Sequence, residues 1–150
     1  VLAAAVIGLV LAFAWLVIRF RGRMGGSEIS SAEVVDYLKE SLQQLDELEE
    51  KDYISRQEYE RLHVELSGIM RYFIENSFGL RALEQTTEEF IRAIQYSPHF
   101  GNEQQAILRQ FLELADLVKF ATYDPGSNAS QEALKTVRYF IESTRATHDH

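Results

Sequence analysis

The sequence predicts an all-α protein, with one N-terminal transmembrane helix followed by an irregular bundle of about five helices. Three observations predict it. Val1 to Ile18 is an unbroken apolar run without a charged residue. After it, apolar residues recur at steps of three and four, the spacing of a helix with one buried face, and no run alternates convincingly with the period of a strand. Capping pairs and Gly/Pro stops fall between those stripes.

The apolar run comes first. At 1.5 Å per residue it spans roughly 27 Å, slightly less than a ~30 Å hydrocarbon core. The chain begins with Val rather than Met, so upstream residues are expected to complete the span. Trp15 suits the membrane interface, and Arg19, Arg21 and Arg23 follow it closely. Three Arg in five residues place that flank in the cytoplasm by the positive-inside rule. A signal peptide carries its basic residues before the apolar run, not after it. The expected layout is a transmembrane helix over 1–20, a juxtamembrane linker over 21–30 and a cytoplasmic helical domain over 31–150. The three Arg can also contact anionic lipid head groups, at roughly 1 kcal/mol each.

In the cytoplasmic part, Val35, Leu38, Leu42 and Leu45 form the first stripe, predicting a helix over about 31–51. Ser55 with Glu58 reads as a capping box for a second helix over about 56–77, striped by Tyr59, Leu62, Leu66, Ile69 and Phe73 and closed by Gly79. Within it Gly68, costing about 1 kcal/mol relative to Ala, suggests a closely packed neighbour. Thr86 with Glu89 opens a short helix that turns Phe90, Ile91 and Ile94 inward, stopped by Pro98 and Gly101. Asn102 with Gln105 opens a fourth over about 103–121, burying Ile107, Leu108, Phe111, Leu112, Ala115 and Val118. After the turn at Asp124, Pro125 and Gly126, a fifth begins near Asn128 to Ser130, buries Leu134, Val137, Phe140 and Ile141, and fades after Thr144.

Charge and motif content exclude most chemistry. The whole chain carries −8, but beyond Arg23 there are 12 basic against 23 acidic side chains, a net charge of −11. Phosphate contacts need clustered Lys and Arg, so a general nucleic-acid binder is disfavoured. There is no Cys, hence no thiolate nucleophile and no Cys-based metal site. Glu60-Arg61-Leu62-His63 is a single Glu-x-x-His, where a di-iron bundle needs two, and it reads as a polar helix flank. No zinc-hydrolase, P-loop, dinucleotide or nucleophile-elbow motif occurs. No catalytic, cofactor-binding or metal-binding residue is assigned, and no small-molecule substrate is expected. The acid is densest on the first helix: residues 28–60 hold 11 Asp and Glu against Lys39, Lys51 and Arg56. Asp36, Glu40, Glu47 and Glu50 are the candidate partner-facing residues, because opposite potentials steer association with a basic partner. An alternative is a membrane-tethered regulator, in which the helices near 87–95 and 103–121 join the second helix in a winged-helix-like nucleic-acid-binding domain. Its fourth helix offers only Arg109 and Lys119 beside Glu103, Glu113 and Asp116.

The stretch EYERLHVELSGIMRYFIENSFG (Glu58 to Gly79), then LRALEQTTEEF (Leu80 to Phe90) and LELADLVKFA (Leu112 to Ala121), resembles the cytoplasmic tail of BatD-like proteins. These are encoded in bacterial aerotolerance operons with a MoxR-type AAA+ ATPase and von Willebrand factor A proteins. The family has an exported β-rich region, one transmembrane helix and a helical cytoplasmic tail, and the resemblance covers the last two. It implies a non-enzymatic single-pass protein of the bacterial inner membrane, with the lipid bilayer, the ATPase and the von Willebrand proteins as partners. It supplies no catalytic residues to transfer.

Overall fold

The computed structural model describes the backbone of residues 31–148 and the side chains of 36–144. The expected transmembrane helix over 1–20 and linker over 21–30, with Trp15, Arg19, Arg21 and Arg23, lie outside the described residues. Among the described residues no helix is long and apolar enough to cross a membrane. Five helices and no strand are present there: α1 (Ser31–Glu50), α2 (Tyr59–Phe78), α3 (Thr87–Tyr96), α4 (Asn102–Phe120) and α5 (Gly126–His148).

The three longest helices, α1, α2 and α5, pack against one another, α4 lies mainly on α2, and α3 lies on α4. Because α1 touches both α2 and α5, its buried line runs Leu38, Ser41, Leu45 and Leu48. Leu42, expected inside, sits at the edge of that line and is half-buried, as is Ile107 on α4. The central helix α2 buries Leu62, His63, Leu66, Ser67, Ile69, Met70, Phe73, Ile74 and Ser77. That arc is wider than one stripe because α1, α4 and α5 surround it.

Phenylalanines knit the elements together. Phe73 of α2 meets Phe140 of α5 and Phe78 edge-on, at ring-centroid distances of 6.5 and 6.1 Å. Phe100, between α3 and α4, lies 4.7 Å from Phe78 and stacks on Phe140 at 6.1 Å. Such pairs add about 0.5–1.5 kcal/mol beyond area burial.

The helix ends confirm some sequence signals and correct others. Gly79 adopts φ 70°, ψ 17° and donates its N–H to Glu75 O at 2.9 Å, closing α2 as expected. Thr86 and Glu89 form the expected capping box: Glu89 N–H donates to Thr86 Oγ1 at 3.3 Å, and Thr86 N–H to Glu89 Oε2 at 2.9 Å. The box expected from Ser55 and Glu58 does not form. Gln57 is left-handed, at φ 58°, so no helix runs through it and α2 starts at Tyr59. The Glu58 carboxylate goes instead to Arg61 at 2.7 Å.

At α4 the reciprocal bond is displaced by one residue. Gly101 N–H donates to Gln104 Oε1 at 3.2 Å, while the Gln105 amide holds Phe100 O at 2.9 Å and so anchors that buried ring. Helix α5 begins two residues earlier than expected, with Gly126 at φ 69° donating to Asp124 Oδ1 at 2.8 Å, and it continues past Thr144 to His148. Gly68 has no neighbour within 4 Å of the position of a Cβ, so the close approach expected there is absent.

Candidate partner-docking surfaces

The first candidate surface is built by α1. Burial of Leu38, Leu45 and Leu48 fixes its orientation, and the 3.6-residue repeat then fixes what faces out. Asp36, Glu40, Glu47 and Glu50 are all exposed. Their spacing of four, seven and three keeps them on one line along the helix. None of the four takes part in an ion pair among the described residues. Glu40 accepts a bond from the Tyr72 hydroxyl at 2.8 Å, and Glu47 one from the Gln43 amide at 3.0 Å. Tyr72 also meets Tyr37 edge-on at 6.4 Å, which braces the α1–α2 contact beneath the line.

Two further carboxylates of α1 pair across helices. Arg138 of α5 reaches Asp46 at 2.7 Å and Glu49 at 3.1 Å. Burial alone lowers the Arg138 pKa, but the two carboxylates outweigh it and hold the guanidinium charge more firmly than usual. Past the helix end, Lys51 and the Tyr53 hydroxyl both donate to Glu65, at 2.6 and 2.8 Å. Burial raises the Glu65 pKa, but these two bonds outweigh it and the carboxylate stays below its ordinary range. The acidity of the first helix therefore divides into a clamp on α5 and an outward line.

The second candidate surface was missed at the sequence level. A groove of about 780 Å³ runs between α3 and α4, with Ile91, Leu117 and Phe120 along its floor and side. Phe120 is 78% exposed and Leu117 50%. Charges rim it: Glu88 and Arg92 on α3, and Arg109, Glu113 and Asp116 on α4. The signal was present in Leu117 and Phe120, apolar residues off the inward stripe of α4, but periodicity alone treats such residues as incidental.

A third missed feature is His63, read from the sequence as part of a polar flank. It is fully buried, its Nε2 lies 3.5 Å from the buried Ser130 Oγ of α5, and its Nδ1 has no hydrogen-bond partner. Burial pushes its pKa below the usual value of 6.5, so the ring is neutral at pH 7. Glu60, the other half of the Glu-x-x-His, is exposed one turn earlier, outside the buried arc of the helix.

No group of three or more His, Asp or Glu among the described residues can hold a metal ion. The described residues contain no strand to form the β-hairpin wing of the winged-helix alternative. Arg109 is moreover 3.7 Å from Glu113. Comparison with known proteins finds no matching family model, no matching curated protein and no matching solved structure.

Proposed function

We propose that the helical domain is a non-enzymatic docking module and that the acidic line on α1 receives a basic surface of another protein. One observation carries this reading. Asp36, Glu40, Glu47 and Glu50 stand exposed in one row and make no ion pair among the described residues, while the neighbouring Asp46 and Glu49 share Arg138. Unneutralised charge in a row favours an oppositely charged partner through steering and register. The apolar run of residues 1–18 and its Arg flank suit a single-pass anchor in a bacterial inner membrane, with the bundle on the cytoplasmic side. The resemblance to BatD-like tails suggests a MoxR-type ATPase or a von Willebrand factor A protein as the partner.

The test is the combined reversal D36K/E40K/E47K/E50K in the full chain, solubilised from membranes in mild detergent. Co-purification of the ATPase or von Willebrand partner should be lost while the helical circular dichroism signal is retained. Undiminished co-purification would refute the acidic-line assignment.

A further inference from the structure

From the contact between α2 and the start of α5 we infer that His63 is a pH-operated latch: protonation of its ring releases the first two turns of α5, residues 126–132, while the rest of α5 stays docked. The contact is separate from the acidic line on α1, and the latch does not depend on that line.

The start of α5 is weakly held. From Gly126 to Glu132 the side chains are small or polar, and Ser130 alone among them is buried. The apolar anchors of the helix begin after it, at Ala133, Leu134 and Val137. Gly, Ser and Asn are weak helix formers. Ahead of this segment, residues 121–124 are exposed. A helix end with so few buried contacts opens locally at small cost, without unfolding the rest.

What this end covers is a group that changes charge. Ser130 Oγ lies 3.5 Å from His63 Nε2, and both side chains are fully buried. The His63 Nδ1 atom has no hydrogen-bond partner. A protonated imidazole is a donor at both nitrogens, so it adds a buried charge and an unsatisfied N–H. The contact lies about one turn inside the N-terminus of α5, the positive end of the helix dipole, and the first turn carries no acidic side chain to offset it.

Charged side chains on the surrounding elements give no relief. On α2, Glu60 and Arg61 are exposed, and Glu65 is held by Lys51 and Tyr53. On α5, Glu132 and Lys135 pair with each other at 2.8 Å, and Arg138 is held by Asp46 and Glu49 of α1. On α4, Arg109 faces Glu113, Asp116 acts on Arg71, and Lys119 lies over the Phe120 ring. Asp124, in the turn before α5, accepts from Gly126 N–H. Burial is therefore what sets the titration of the ring, and it keeps the imidazole neutral. Lifting residues 126–132 brings water to the ring and leaves Ala133, Leu134 and Val137 in the core.

The size of the response follows from linkage. An uncovered imidazole takes up a proton near pH 6.5, and the covered ring does so only at lower pH. Opening is thus favoured as pH falls through that value, by about tenfold between about pH 7.5 and about pH 5.5.

The test is amide hydrogen exchange of the full chain in mild detergent, read by mass spectrometry as protection factors at those two pH values. Amides of residues 130–134, which bond back to the carbonyls of 126–130, should lose protection about tenfold at the lower pH. They should also exchange faster than the centre of α2 and respond little to low urea, the mark of local opening. H63Q and H63L leave His99, His148 and His150 in place, and each should abolish the pH response. Protection at 130–134 that is independent of pH, or a response that persists in either variant, would overturn the latch. Exchange there that matches the centre of α2 in rate and urea dependence would also overturn it, because His63 would then act only through global unfolding.

Discussion

The unit formed by α1, α2 and α5 and the arm formed by α3 and α4 are made of similar amphipathic helices, yet they close differently. In the first, α2 is covered on several sides and Phe73, Phe140, Leu45 and Leu48 are almost inaccessible to solvent. One of its cations, Arg138, finds partners across helices in Asp46 and Glu49. In the second, α3 is short and packs mainly on α4, tied to α2 through Arg71, and the outer side of α4 keeps Leu117 and Phe120 in solvent. A helix covered on several sides buries a wide arc, whereas a short helix set mainly on one neighbour leaves apolar side chains of that neighbour in solvent.

The largest effect that can break this comparison lies at Phe73. F73A empties the centre of the aromatic cluster joining α2, α5 and Phe100, and should cost about 3–5 kcal/mol, read as a lower urea midpoint. A loss near 1 kcal/mol would mean that α1, α2 and α5 are not the stabilising unit.

Next is Arg71, which ties the arm to the unit. Its guanidinium donates to Ala82 O at 2.6 Å, Gln85 O at 3.0 Å and Thr87 Oγ1 at 2.9 Å, and lies 4.9 Å from the Phe90 ring centre. R71M removes all three bonds and should cost about 2–3 kcal/mol. Amide exchange should accelerate in α3 well before it does in α1 or α5. Uniform acceleration would show that arm and unit open together.

His63 sharpens the comparison from the side of the unit. The buried ring resists protonation, whereas the unfolded chain takes up a proton near pH 6.5. The unfolded state then binds more protons as pH falls, so this part of the stability is complete above about pH 6.5 and is lost below it. The slope cannot exceed about 1.4 kcal/mol per pH unit. H63L should flatten the urea midpoint between about pH 7.5 and about pH 5.5, the range that brackets the ordinary imidazole value. A slope unchanged by H63L would place the proton uptake elsewhere.

The smallest expected effect belongs to the arm. F120S removes an exposed ring and should change stability by no more than about 0.5 kcal/mol. A loss above about 2 kcal/mol, the scale of a core truncation, would show that Phe120 is part of the core, and the contrast between the two regions would collapse.

Much of this fold was readable in the chain. The Thr86–Glu89 box, the Gly79 closure and the inward Phe90, Ile91 and Ile94 all follow from local hydrogen bonding and the helical repeat, which need no knowledge of neighbours. The failures share one cause, a contact or backbone turn that spacing does not encode. Ser55 and Glu58 have the right spacing for a cap, but Gln57 turns left-handed between them and Arg61 takes the carboxylate. His63 sits one residue beyond Leu62 on the predicted stripe, and becomes core only because α5 covers that side of α2. Asp36, Glu40, Glu47 and Glu50 were legible as exposed acid, while the pairing of Asp46 and Glu49 with Arg138 was not.

The sequence by itself determined that the described region is helical, where most of its helices lie, and that the acid gathers on the first of them. Those properties depend on periods, caps and composition, which are local in the chain. The tertiary structure alone decided that Arg138, 92 residues after Asp46, pairs with part of that acid at the surface. It also buried His63 beside Ser130 and left Leu117 and Phe120 open between α3 and α4. Each of these depends on which helix lies next to which, and a one-dimensional repeat carries the width of a buried face but not the neighbour that covers it.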